Sequence, residues 1–225
     1  MKKIRIAIDG PAGAGKSTIA KLAAEKLQYT YVDTGAMYRA LTYKSLQQKK
    51  NLADEQALLE LLMSSCIELE PSPAGQQVYL DGQNVSEAIR MPEVTANVSE
   101  VAAHAAVRKE MVDRQMKLAE SGGVLMDGRD IGTHVIPDAE LKLFMSASAD
   151  ERARRRFEDN KSRGIHIPVE ELKQDILRRD KLDSEREASP LIQAEDAIFL
   201  DTTTLTIEDV VEEIVNLVKA KEQSG

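Results

Sequence analysis

Gly10-Pro11-Ala12-Gly13-Ala14-Gly15-Lys16-Ser17 is the stretch on which the reading of this chain turns. It fits G-x-x-x-x-G-K-[ST] without a mismatch, and its flanks suit the pattern. Before it, Lys3 to Asp9 reads as a buried strand through Ile4, Ile6, Ala7 and Ile8. After it, Ser17 to Leu27 has helical spacing, with Ile19, Leu22, Ala23 and Leu27 on one face. Glycines let successive backbone N–H groups turn inward on phosphates, and a helix N-terminus adds positive potential there. Lys16 brings a mobile point charge to β and γ phosphates, and the Ser17 hydroxyl is placed to hold Mg²⁺. The expected ligand of Gly10 to Ser17, with Thr18, is the triphosphate of ATP.

Working outward, Thr30 to Asp33 reads as a short strand and Ala36 to Gln48 as a helix. Strand, loop, helix, strand, helix is the opening of a parallel sheet with crossover helices. From Cys66 to Val85 the apolar residues alternate, and Asp81-Gly82 is a hairpin turn signal. A hairpin cannot be a parallel crossover, so this is a small antiparallel insert. Pro92 to Ala119 is helical again, with Val94, Val98, Val101 and Ala102 in register. Gly123–Asp127, Leu141–Met145 and Ala197–Asp201 supply the remaining strands, and Ile207 to Val218 closes the chain as a helix. Val210, Val211, Ile214, Val215 and Val218 form its core-facing stripe, with Glu208, Asp209, Glu212 and Glu213 solvated.

The expected architecture is therefore α/β: a phosphate-loop core with a five-stranded parallel sheet flanked by helices, an antiparallel insert and a helical lid. The 225 residues form one unit. The core takes about 1–62, 120–150 and 190–225, the insert about 63–105 and the lid about 151–170.

A net charge of −8 argues against coating nucleic acid. No apolar run reaches the length of a signal or membrane segment, so the cytoplasm is the expected compartment. Without a long exposed apolar heptad, a monomer is the expectation. The single cysteine, Cys66, cannot form an intrachain disulfide and is expected to be a small buried hydrophobe. His104, His134 and His166 lack metal-site spacing.

The phosphate loop leaves the second substrate open, because GTPase switches, shikimate-type kinases, motor ATPases and nucleotide kinases share it. A guanine-reading N-K-x-D motif is missing; the nearest string, Asn160-Lys161-Ser162-Arg163, lacks the Asp. Arginines instead sit where they can converge: Arg39, Arg108, Arg129, Arg179 and Arg186. Arg129 follows the carboxyl end of a strand, where such sheets bind ligands. Asp127 ends that strand facing the phosphate loop and is the candidate partner of Ser17 in positioning Mg²⁺. In Glu151-Arg152-Ala153-Arg154-Arg155-Arg156, residues Arg152, Arg155 and Arg156 share a helical face, with the polar, hinge-like Asn160 to Gly164 downstream. A kinase must exclude water during transfer, so this run is read as the lid. Arg155 and Arg156 are its candidates for ATP.

Four segments carry a resemblance: Asp33-Thr-Gly-Ala-Met-Tyr-Arg39, Asp81-Gly-Gln-Asn-Val-Ser86 with Ile89-Arg90, Asp127-Gly-Arg-Asp-Ile-Gly-Thr133, and Arg179-Asp-Lys-Leu-Asp-Ser-Glu-Arg186. Together they resemble the bacterial cytidylate kinases, from the phosphate loop to Asp201-Thr202-Thr203. The resemblance implies transfer of the γ-phosphate of Mg-ATP to CMP or dCMP, with an insert that binds the monophosphate. Thr34, Arg39, Arg129 and Arg186 would surround the acceptor phosphate. Ser99, Arg108 and Asp130 would read the cytosine, and Arg179 with Asp183 would hold the ribose. Lys16, Arg39, Arg129 and Arg186 would be the catalytic charges. The rival readings are a uridylate or mixed pyrimidine monophosphate kinase and a nucleotide-operated switch acting through a partner.

Overall fold

The computed structural model describes residues 3–72, 75–162 and 164–224. Arg163, placed in the hinge-like stretch above, lies outside them.

β1 (Arg5–Asp9) leads into the phosphate loop and α1 (Lys16–Leu27), then β2 (Thr30–Asp33) and α2 (Thr34–Gln47). Next come α3 (Glu55–Met63) and the strands β3 (Ile67–Glu70), β4 (Gln77–Leu80) and β5 (Gln83–Asn84). Two helices, α4 (Pro92–Ala103) and α5 (Ala105–Ala119), return the chain to β6 (Val124–Gly128) and β7 (Leu141–Ser146). The chain ends through α6 (Ala149–Ser162), α7 (Val169–Glu185), β8 (Ile198–Asp201) and α8 (Ile207–Ser224). The main sheet is parallel throughout, in the order β2-β6-β1-β7-β8, and β3-β4-β5 form a separate antiparallel sheet.

β1 is covered on both faces, which is why Ile6, Ala7 and Ile8 are all fully buried instead of alternating with polar residues. α1 and α8 cover one side. Ile19, Ala20 and Ala23 of α1 meet Val210, Val211, Ile214, Val215 and Val218 of α8 over Ile6, Ile8 and Leu143. Burying each of the larger side chains contributes about 1.5–3 kcal/mol as an upper estimate. Leu22 is not part of this stripe; it is 37 % exposed. The smaller sheet turns at Asp81 and Gly82, with φ of 51° and 79°, the left-handed pair that a tight hairpin needs.

Three further expectations need correction. Cys66 is exposed, because the chain enters β3 there with its backbone N–H held by Asp81 Oδ1 at 2.9 Å and its side chain on the outer face. Pro92 to Ala119 is two helices. His104 adopts an extended backbone, its Nε2 lies 2.7 Å from the Leu52 carbonyl, and the Glu55 carboxylate accepts the Ala106 N–H at 2.8 Å. A side chain from α3 thus caps α5 from outside its own sequence, and no local breaker is needed. Arg152 is not on an open lid face; it is buried between α6, the phosphate loop and α7. α3 itself went unread at the sequence level. Its Leu58, Leu61 and Leu62 are buried behind an Asp54 N-cap.

Gly10 is where β1 must leave the sheet. Its φ is +146°, and a Cβ built there would lie 1.9 Å from the Met145 carbonyl oxygen of β7. That oxygen belongs to a strand paired on both sides, so it cannot give way. Gly10→Ala is expected to cost about 4 kcal/mol or more. Equilibrium urea unfolding measures it, and a loss below about 1 kcal/mol would refute the constraint.

Candidate active site

Parallel strands bring their carboxyl ends to one edge, and four of these five end in Asp or Asp-Gly: Asp9 on β1, Asp33 on β2, Asp127 on β6 and Asp201 on β8. Asp33 and Asp127 are direct partners in the ladder. A cleft of about 630 Å³ opens over this edge, within the range of nucleotide-sized sites.

At one end the cleft is walled by Ala12, Gly13, Gly15, Lys16, Ser17 and Thr18. Gly10, Pro11 and Ala14 lie behind this wall and shape the loop. Lys16 is buried, and its Nζ donates to the Pro11 carbonyl at 2.8 Å. Burial first, and then the nearby Arg129 charge, push its pKa well down, against the opposing pull of Asp127 and Asp9. A buried cation held this way gains when a polyanion arrives.

Ser17 donates its hydroxyl to Asp127 Oδ2 at 2.9 Å, and Tyr31 donates to Oδ1 at 2.8 Å. Burial, with Asp33 adding to it, raises the Asp127 carboxyl to about 6. Ser17 and Asp127, far apart in the chain, therefore meet as a pair of hard oxygen donors. Among the described residues no cluster of three or more His, Cys, Asp or Glu could hold a metal. A site with few protein ligands suits Mg²⁺, which keeps several waters and shares phosphate oxygens.

The other end of the cleft gathers Arg39 from α2, Arg108 from α5, Arg179 from α7, and Arg129 and Arg186 from the segments that follow β6 and α7. Arg39 pairs with Asp33 at 2.7 Å, and Asp33 also caps α2 by accepting the Ala36 N–H. Arg129 Nε donates to Asp183 Oδ2 at 2.9 Å, and Ser99 donates to Asp183 Oδ1 at 3.1 Å. Arg108 pairs with Asp130 Oδ2, both groups buried, and its guanidinium lies over the Tyr38 ring at 5.3 Å. Arg186 donates to the Ser189 carbonyl at 2.7 Å, and its Nη2 stands 3.9 Å from Asp130 Oδ1. Thr34 donates to the Asp127 carbonyl at 2.7 Å.

Five guanidinium groups share three carboxylates here, and donors are left over. The Nε atoms of Arg39, Arg108 and Arg179 and Nη2 of Arg186 are buried with no hydrogen-bond partner among the described residues. Burial, reinforced by Arg129, lowers the Arg179 pKa to about 9. Unsatisfied buried donors on cations are costly unless an anion completes them. An anionic ligand in this pocket could complete these donors.

Above the loop, Arg155 and Arg156 both line the cleft. Arg155 Nη2 donates to the Thr202 carbonyl at 2.5 Å, and its Nε donates to Glu151 Oε1 at 2.8 Å. Leu205, Ile207 and Val210 add an apolar wall at this end.

Sequence reasoning missed Tyr31, Asp33 and Asp9. Asp33 had a signal, since Asp immediately before a helical segment is an N-cap pattern. Tyr31 and Asp9 had none, because their partners lie about a hundred residues away. Asp9 is buried and accepts the N–H groups of Ile131 and Gly132 at 2.8 and 2.7 Å. It thereby anchors the wide i→i+5 turn that follows Arg129 and Asp130.

Desolvation holds the Asp9 carboxyl up to about 6, with its two backbone hydrogen bonds pulling the other way. The ordinary value is about 4. Between about pH 4 and 6 the folded chain keeps a proton that the unfolded chain releases, so this group makes stability fall as pH rises. Relative to Asp9→Asn, the parent chain is expected to lose up to about 3 kcal/mol between pH 4 and 6.5. Urea titrations of both proteins at the two pH values test this; parallel pH dependences would refute it.

A phosphate loop, an adjoining acidic strand edge and an arginine-rich pocket in one cleft define the class: a phosphate-loop kinase whose acceptor is itself anionic. A family profile described as cytidylate kinase matches residues 6–220. The chain is 64 % identical over 220 residues to the cytidylate kinase of Lysinibacillus sphaericus (strain C3-41), covering 98 % of each. It is 58 % identical to that of Anoxybacillus flavithermus, again with 98 % coverage of both. A solved structure of an uncharacterized protein from Eubacterium ventriosum shares the fold, with a TM-score of 0.52, 12 % identity and coverage of 96 % and 99 %. The chain belongs to the cytidylate kinase family and is an ATP-dependent nucleoside-monophosphate kinase. No helix among the described residues is long and apolar enough to cross a membrane.

Proposed function

We propose that this enzyme transfers the γ-phosphoryl group of Mg-ATP to CMP or dCMP, releasing ADP and CDP or dCDP. The observation that carries the reading is the buried Asp130–Arg108 pair beside three further arginines with unsatisfied donors, at the far end of the phosphate-loop cleft.

On the donor side, Lys16 and the N–H groups of the loop hold the β and γ phosphates, with Arg155 and Arg156 above them. Ser17 and Asp127 would hold Mg²⁺, which would neutralise charge on the phosphate oxygens. On the acceptor side, Arg39, Arg129 and Arg186 grip the monophosphate, for which a guanidinium is suited by its permanent charge and paired donors. Thr34 lies beside them. Arg179 and Asp183 take the ribose. Asp130 accepts from the cytosine 4-amino group, with Arg108 and Ser99 completing the base contacts. The segment of about 63–105 serves as the acceptor-binding insert, and that of about 151–170 as the lid.

An oxygen of the acceptor phosphate attacks the γ-phosphorus, and the bond from that phosphorus to the β–γ bridging oxygen breaks. A phosphomonoester has a second pKa of about 6, so the attacking oxygen is already largely deprotonated and no general base is needed. The chain's task is to hold two anions in line and stabilise the charge between them.

The test is ADP release from Mg-ATP with CMP, dCMP, UMP, AMP, GMP and shikimate offered separately. Turnover confined to CMP and dCMP is expected. Equal turnover with UMP would overturn the cytosine assignment, and no acceptor-dependent turnover would overturn the proposal.

A further inference from the structure

Arg152 takes no part in the wall of the cleft, yet it touches the phosphate loop at one end and, through Asp180, the helix α7 that carries residues of the other. It stands in the first turn of α6, 6 % exposed. Its Nε donates to the Ala147 carbonyl at 2.9 Å. Its Nη1 donates to the Ala12 carbonyl of the phosphate loop at 3.1 Å and to Asp180 Oδ2 on α7 at 2.6 Å. The fit is close on the loop side, where a Cβ on Gly13 would come within 3.1 Å of the Arg152 Cβ.

Asp180 follows Arg179, the buried cation of the cleft, and lies about one helical turn before Asp183, which holds Arg129 and Ser99. Its other oxygen, Oδ1, is buried with no hydrogen-bond partner among the described residues. Asp180 is therefore committed to Arg152 as its route out of α7. Across a planar trans peptide, the Ala12 carbonyl and the Gly13 N–H point in opposite directions. Fixing that carbonyl on Arg152 fixes the direction of an N–H at the donor end of the cleft. One guanidinium thus joins a peptide of the donor loop to the helix that carries acceptor-side residues.

We propose that Arg152 is a positioning residue that couples the two nucleotide subsites. An acceptor nucleotide on Arg179 and Asp183 sets the placement of α7, and Asp180 with Arg152 passes it to the Ala12–Gly13 peptide. By linkage the effect is reciprocal: a donor nucleotide on the loop tightens the acceptor subsite through the same contact. The inference rests on the reading that CMP and ATP occupy opposite ends of this cleft. It predicts a binding coupling that depends on residues touching neither ligand.

Calorimetric titration of CMP into the full chain, with and without a saturating non-hydrolysable Mg-ATP analogue, measures the coupling ratio. The parent chain is expected to bind CMP about fivefold or more tightly with the analogue present. Asp180→Asn keeps the shape but weakens the pair, and Arg152→Lys keeps the charge but cannot span both acceptors. In each folded variant the ratio is expected to fall to within about twofold of unity. Because the ratio compares one protein with itself, a general loss of stability does not imitate this result. A ratio unchanged in both variants overturns the coupling and leaves the acceptor reading intact. A parent ratio of one overturns it too. Failure of the parent chain to bind CMP at all overturns the acceptor reading and the coupling with it.

Discussion

Lys16→Met is expected to lower kcat for phosphoryl transfer by about a thousandfold or more, and to leave a variant at least as heat-stable as its parent. The first half follows from the position of Nζ, which is buried at the mouth of the phosphate loop and parked on the Pro11 carbonyl. Removing one preorganised charge from a transferring group costs about 10²–10³ in rate at other oxyanion sites, and whole-charge contributions at phosphoryl centres reach higher. The second half follows from the electrostatics. Desolvation and Arg129 hold the lysine pKa well below its ordinary value, so the charged form destabilises the fold at neutral pH. A lysine whose folded pKa is lowered opposes folding throughout the range below its unfolded pKa of about 10.4. Methionine fills similar volume without that charge. Steady-state kinetics and a thermal melt on the same preparation test both halves. A variant that loses activity only in step with its melting temperature would remove Lys16 from the catalytic group.

Asp130→Asn is expected to reduce a preference for CMP over UMP by about a hundredfold or more, with the KM for ATP changed less than about twofold. A buried carboxylate only accepts hydrogen bonds, and cytosine offers an amino donor where uracil offers a carbonyl. A site built on one such contact discriminates strongly, because the wrong partner leaves a buried polar group unpaired. Asparagine keeps the volume and presents an amide donor, which uracil can accept. The structure adds a consequence that the residue type alone does not carry. Asp130 is also the ion-pair partner of the buried Arg108, and its other oxygen faces Arg186. Asp130→Ala strands the Arg108 charge and is expected to cost about 3–5 kcal/mol of stability. Asp130→Asn retains an acceptor for Arg108, which makes it the cleaner test. Equal losses in CMP and ATP affinity would remove Asp130 from the base-reading group.

Much of the architecture was legible because its signals are local. Apolar runs of four to six residues, a hairpin dipeptide and a helical stripe at Val210, Val211, Ile214, Val215 and Val218 each specify their own element within one window. The phosphate loop is legible because its eight residues match one motif between an apolar strand and a helix, whereas the lack of room for a side chain at Gly10 comes from the Met145 carbonyl of another strand. The exposed Cys66, the break at His104 and the burial of Arg152 were not legible. Each is decided by a group brought from elsewhere: Asp81, Glu55 with Leu52, and Ala12 with Asp180.

The same division runs through the site. From the sequence alone came the loop residues Gly10 to Ser17, the pairing of Ser17 with Asp127 as a question of strand ends, and the set of arginines at Arg39, Arg108, Arg129, Arg179 and Arg186. These could be read because backbone conformation and strand termination depend on near neighbours. The tertiary structure alone decided which carboxylate each arginine faces, which donors remain unsatisfied, and that Asp9, Tyr31 and Asp33 belong beside the cleft. Those outcomes depend on charge and desolvation summed over groups from several elements, and no window of sequence contains that sum.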